Sequence, residues 1–135
     1  MGNNAVAPRL PVTHQMPYLR AAVAFDTYQI GVAGMVPLGT LPDGAIVTGM
    51  LVKINTAFNA ATTNVLTVGT AATDDAIIAA ADVDETTVGT TVTFAAVGYK
   101  ASGATPLFIK YAQTGTAATT GAADIILWFC PDNDR

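Results

Sequence analysis

The amino-acid sequence predicts an all-β fold: a jelly-roll-like antiparallel β-sandwich of about seven or eight strands, preceded by an extended N-terminal arm. Two observations predict the sandwich. Short segments rich in β-branched and aromatic residues recur along the 135-residue chain, each bounded by clusters of Gly, Pro, Asn, Asp or Thr. No long helical period separates them, so the strand–helix alternation of a parallel α/β sheet is missing. A third observation predicts the arm. Residues 1–20 hold Pro8, Pro11 and Pro17 and show neither strand nor helix periodicity, and prolines so spaced favour extended backbone. The expected organisation is an arm over residues 1–20 and one sandwich domain over 21–135.

The strands follow in order. Ala21 to Ile30 sets Val23 and Phe25 on one face, with Tyr28 and Ile30 on the other. Ala33 to Leu38 is a shorter apolar run, and Leu41-Pro42-Asp43-Gly44 is a turn in which Pro presets φ and Gly follows Asp. Ala45 to Asn55 alternates, so Ile46, Thr48, Met50, Val52 and Ile54 are expected to share a face. Thr63 to Gly69 is the next strand. Asp74 to Ala81 is the one helical candidate, capped by Asp74 or Asp75, although β-branched Ile77 and Ile78 suit a strand equally. In Thr91 to Val97 the pattern places Val92, Phe94 and Ala96 inward and Thr91, Thr93 and Ala95 outward. Pro106 to Gln113 and Ala123 to Cys130 complete the set. Ile125 to Phe129 is apolar without a break, which predicts a strand covered on both faces. Its second cover is either the chain's own loops and arm or another subunit, with Ile126 and Trp128 at the interface.

Composition narrows the function. Apolar residues make up 51% of the chain and charged ones 12%, which excludes wholesale disorder. Six basic residues against ten acidic ones, for a formal charge of −4, argue against binding nucleic acid by phosphate neutralisation. The single cysteine, Cys130, excludes an intrachain disulfide framework and a Cys-based zinc site. Mean hydropathy is +0.43, yet no run approaches the roughly 20 apolar residues of a membrane-spanning helix. No membrane partner is expected. Met1 to Arg9 lacks a charged segment followed by an apolar one, so the reading is synthesis in a cytoplasm without a signal peptide. A chain so sparing of charge is expected to cover part of its surface with a neighbour.

Reactive groups are few. Ser102 stands in Lys100-Ala-Ser-Gly-Ala-Thr, without the glycine frame of a nucleophile elbow, and His14 lies in the arm. Cys130 ends a strand, where a small buried hydrophobe is the expected role. These residues do not make a nucleophile, base and orienting group, so neither an enzyme nor a cofactor is expected. Asp74, Asp75, Asp82, Asp84 and Glu85 form the densest carboxylate cluster. Calcium sites are built from such oxygens, but the EF-hand spacing is missing, and a solvated acidic loop is the plainer reading. Gly31-Val-Ala-Gly34 and Val68-Gly69-Thr70 lack a following Lys-Ser/Thr and read as bends.

The stretch from Gly39 to Thr70 contains Asn55-Thr-Ala-Phe-Asn59, a Thr-rich turn and Leu66-Thr-Val-Gly-Thr70, and an Asp-rich loop follows it. Over residues 39–85 the chain resembles capsid decoration (cement) proteins of short-tailed bacteriophages. The resemblance implies a β-sandwich seated on the outer surface of a virion, where it bridges capsomers of the major capsid protein and stabilises the shell. It carries no catalytic residues across. Such proteins are usually oligomeric, so a homodimer is expected first and a trimer second. The arm then serves as a capsid tether, with Arg9, Leu10, Met16, Tyr18 and Arg20 as its docking residues. The alternative function is a small binding module of a head fibre or tail that recognises a cell-surface glycan, for which Tyr18, Tyr28, Tyr99 and Tyr111 are the available aromatics.

Overall fold

The computed structural model describes residues 17–26 and 35–132. Among them lie seven strands and no helix: β1 (Tyr18–Ala24), β2 (Val36–Leu41), β3 (Ile46–Thr56), β4 (Thr63–Gly69), β5 (Gly89–Thr93), β6 (Thr105–Thr114) and β7 (Ala122–Cys130). They form a four-stranded sheet in the order β1-β7-β3-β5 and a three-stranded sheet in the order β2-β6-β4. All pairings are antiparallel. Odd strands lie in one sheet and even strands in the other, so every connection crosses between sheets. That wrapping is the jelly roll expected from the sequence.

The eighth strand of a jelly roll belongs beside β4, and here it is reduced to one bridge, Val68 with Ile78. Residues 74–81 therefore form neither a helix nor a strand. The local side chains explain why. Thr70 Oγ1 accepts from Thr73 N, Asp82 accepts from Ala79 N, and Asp84 accepts from Thr86 N and the Thr86 and Thr87 hydroxyls. Short polar side chains that bond nearby backbone offer it an alternative to the ladder.

The core lies between the sheets. Val47, Met50, Val52, Ile54, Ile125 and Leu127 from the four-stranded sheet meet Leu38, Leu66, Val68, Leu107, Ile109 and Tyr111 from the other. Phe58 plugs one end, with its ring centroid 4.6 Å from that of Tyr111. The Tyr111 hydroxyl donates to Asn64 Oδ1 at 2.6 Å, so the largest core side chain buries its ring with its polar tip satisfied.

Two strands differ from the alternation read in the sequence. In β3 the register against β7 shifts between Val47 and Gly49, a bulge that inserts Thr48 and resets the phase. Met50, Val52 and Ile54 are buried as expected, but Ile46 and Thr48 are exposed and Val47 is buried in their place. In β5 the alternation holds with its phase reversed. Thr91 and Thr93 pair with the inward residues Val52 and Met50, which turns Val92 and Phe94 outward. A period of two residues defines two faces without saying which one meets the core.

Glu85 is the one buried carboxylate among the described residues, 4% exposed. Its Oε1 accepts from Leu66 N at 2.7 Å and its carbonyl accepts from Phe58 N at 2.9 Å, so it pins the long β4–β5 loop to β4. Burial pushes its carboxyl above the ordinary glutamate range, outweighing the backbone bonds that favour the anion. An acid whose folded pKa is raised binds more protons when folded. Its contribution to stability is therefore most favourable at acid pH and falls as pH rises from the ordinary glutamate value through the higher folded one. Thermal melts should show Glu85→Gln gaining on the parent as pH is raised from 4 to 7. Gly121, at φ 147°, leaves room only for the Phe58 ring, which a Cβ would overlap. Gly121→Ala should cost at least about 2 kcal/mol in urea unfolding, from backbone strain and overpacking together.

Candidate interaction face

The four-stranded sheet has an inner face on the core and an outer face that no other described element covers. Register decides what stands on it. Tyr18 pairs with Trp128, and Trp128 with Gly49. Phe94 directly follows β5, beside Gly49. One step along, Arg20, Ile126, Leu51 and Val92 line up across all four strands. The next row is Ala22, Asp124, Lys53 and Thr90. The outer face is thus two rows of mainly apolar side chains bordered by one row of charge.

Gly49 makes the aromatic row possible. A Cβ at this position would stand 3.2 Å from the Trp128 ring and 3.3 Å from that of Phe94, so the two rings close over bare backbone. Glycine within a strand commonly marks such a close approach. Trp128 is half-buried by its neighbours, whereas Phe94 is 65% and Tyr18 60% exposed. Covering half of one aromatic side chain removes roughly 75–125 Å² from water, worth about 2–3 kcal/mol. Contiguous exposed apolar surface of this kind marks interaction sites on soluble proteins.

The charged row holds its own geometry. Asp124 accepts from Asn55 Nδ2 at 2.8 Å and from Arg20 at 3.4 Å. The Asn55 bond, with Arg20 beside it, holds the Asp124 carboxyl below the ordinary aspartate range. The pair is largely solvated, and its contribution to stability is correspondingly small.

The structure brings some of the expected site residues together and disperses others. Ile126 and Trp128 stand side by side on the outer face, joined by Leu51, Val92 and Phe94. Sequence reasoning had set Val92 and Phe94 in the core. Their signal was legible as alternation, and only the pairing of β5 with β3 reveals its direction. Tyr18 and Arg20, read as arm residues, belong instead to β1, where pairing with β7 starts at Tyr18 and places both on this same face. Arg9, Leu10, Met16 and His14 lie outside the described residues, as does Tyr28. Tyr111, a candidate for contacting sugar, is buried in the core. Cys130 is exposed at the end of β7 rather than buried, because its position shares the outward phase of Trp128.

The acidic cluster does not converge. Asp74 pairs with Lys110, Asp82 and Asp84 bond the loop that carries them, and Glu85 points to Leu66. Among the described residues no three His, Cys, Asp or Glu side chains gather in a group that could hold a metal. These carboxylates fasten the β4–β5 loop. Ser102 is exposed in the loop between β5 and β6.

Fold and face together define a small jelly roll with a row of aromatic side chains on the open side of its larger sheet. No protein-family model and no curated protein matches the chain. Solved structures do share the fold. A chain of the cyanophage Pam1 capsid asymmetric unit is 23% identical, with 85% of this chain and 84% of that one covered, at a TM-score of 0.66. A chain from the acidic stable capsid structure of Helicobacter pylori bacteriophage KHP30 is 19% identical, covering 86% and 88%, at 0.58. One from the capsid of Ralstonia phage GP4 is 16% identical, covering 90% and 87%, at 0.58. At these identities the likeness is one of fold.

Because the outer face contributes little to the core, its residues should separate cleanly from those of the inner face. Phe94→Ser is expected to change the unfolding free energy by no more than about 0.5 kcal/mol. Leu127→Ala, adjacent to Trp128 but pointing inward, should cost about 2–5 kcal/mol. Denaturant titration of both variants checks the assignment of faces.

Proposed function

We propose that this chain is a structural virion protein of a tailed bacteriophage, which decorates and stabilises the outside of the capsid by bridging capsomers of the major capsid protein. The observation that carries the reading is the outward aromatic row of Tyr18, Trp128 and Phe94, on a jelly roll that three phage capsid structures also contain. A stabilising protein works by burying its surface against neighbours and needs no converging reactive groups. The fold supplies a rigid platform and the face supplies apolar contact. The protein acts as a homo-oligomer, a dimer first and a trimer second, with Ile126 and Trp128 in the surface through which subunits associate. Residues 1–16, with Arg9, Leu10 and Met16 among them, serve as the tether to the shell.

Co-sedimentation with purified capsid shells tests this. The full chain should bind at saturating stoichiometry on the outside of filled shells and raise the temperature at which they release DNA. Removing residues 1–16, which leaves β1 intact, should weaken shell binding at least tenfold without lowering the melting temperature of the free protein. Failure of the full chain to bind shells, with binding to a glycan array instead, would replace this reading with that of a fibre or tail module.

A further inference from the structure

We propose that β5 pairs edge to edge with β5 of a second copy of this chain, antiparallel across a two-fold axis, so that the four-stranded sheet continues through the junction. This rests on the reading that the protein self-associates, and it places the seam at the edge of the sheet, with the face that carries Ile126 and Trp128 continuing across it.

A sandwich of two open sheets has four outer edges, and an unguarded edge is a template for another strand. Three of the four are occupied or obstructed. The free side of β4 is sealed by the β4–β5 loop: Val68 N donates to Ile78 O at 3.1 Å, Ile77 N and Ile78 N donate to Val68 O at 2.8 and 2.9 Å, and Glu85 takes the Leu66 N–H. On β2, Pro37 and the register shift between Pro37 and Gly39 interrupt the strand, and both features discourage further pairing. β1 carries the charge of Arg20, which guards an edge, and its Leu19 side chain packs against Gly39 of β2. The fourth edge is β5. Its sequence, Gly-Thr-Thr-Val-Thr, holds no charge and no proline, its register with β3 is unbroken, and no described element pairs with its other side.

Apolar exposure concentrates at the same place. Of the six exposed large hydrophobic residues among those described, Val88, Val92, Phe94 and Val97 lie on β5 or its flanks. Phe94 and Val97 are held in a tight turn, Val97 N donating to Phe94 O at 3.0 Å, and Trp128 backs the Phe94 ring across Gly49. Backbone capacity and side-chain surface thus coincide on one edge.

Charge selects the occupant and its direction. Asp84 precedes β5. After the turn at residues 94–97 the chain rejoins the β3 edge, where Tyr99 O accepts from Val47 N at 2.9 Å and Lys100 bridges Ile46. The edge therefore ends in the positive charge of Lys100. Two copies placed antiparallel keep the two Lys100 ends apart, while parallel addition sets them together. Between these ends β5 is uncharged, so the strand meets itself without repulsion. With the axis at Thr91, Thr90 of each copy stands opposite Val92 of the other, and cross-strand pairs of this kind favour the ladder.

The experiment combines sedimentation with amide hydrogen exchange on the full chain across a concentration series. The parent should dimerise, and amides of residues 89–93 should exchange at least tenfold more slowly in the dimer. Thr90→Lys places on the edge the charge that guards natural edge strands, at an exposed site that leaves the fold intact. It should weaken dimerisation at least tenfold. If the parent associates while residues 89–93 stay unprotected, or if Trp128→Ala dissociates it and Thr90→Lys does not, the seam is overturned and association through the open face stands. A parent that remains monomeric throughout overturns self-association itself.

Discussion

The pairing of β3 with β7 is the constraint on which the rest of this molecule depends. It joins residues 46–56 to residues 122–130 along almost their whole length and so closes the chain around everything between. β1 and β5 then add to the two free sides of this pair. Because consecutive strands alternate between sheets, each addition to one sheet obliges the next strand to add to the other. The core follows from that alternation, since Met50, Val52, Ile54, Ile125 and Leu127 can face only the second sheet.

The same ladder determines the character of the outer face. β7 is apolar on both sides, and its inward side is satisfied by the core. Its outward side carries Ile126 and Trp128 beside Leu51 and over Gly49. The register that pairs Met50 with Leu127 also sets Gly49 opposite Trp128, and the bulge at Thr48 shifts only the residues that precede it. A residue with a side chain at position 49 would press on the rings of Trp128 and Phe94. One glycine in β3 thus lets an aromatic row run across the sheet.

Carboxylates serve the structure in a different way. Half of those in the chain fall between residues 74 and 85, and most are spent on nearby partners: Asp74 on Lys110, Asp82 and Asp84 on loop backbone, Glu85 on Leu66. This loop replaces an eighth strand and seals the edge of β4, whereas no described element pairs with the free side of β5. Charge is scarce elsewhere, and charge on an edge strand or apolar face opposes association.

Much of this was legible in the sequence. Thr63 to Gly69 carries its strand at the residues expected, Leu41 to Gly44 turns where Pro and Gly demand it, and the unbroken run Ile125 to Phe129 lies in a strand, β7, although only its inner face is covered by described residues. These follow from local chemistry: turn residues, β-branching and a period of two. Direction was not legible. Val92 and Phe94 alternate with threonines in a way that suits either face, and only the register with Met50 and Val52 turns them outward. Tyr18 and Arg20 read as tail until Trp128 and Ile126 offered them partners 110 and 106 residues away. Alternation is encoded within a strand, but which side meets the core depends on a neighbour distant in sequence. The sequence alone therefore determined an all-β chain poor in reactive groups, and the tertiary structure alone decided where its apolar surplus is displayed.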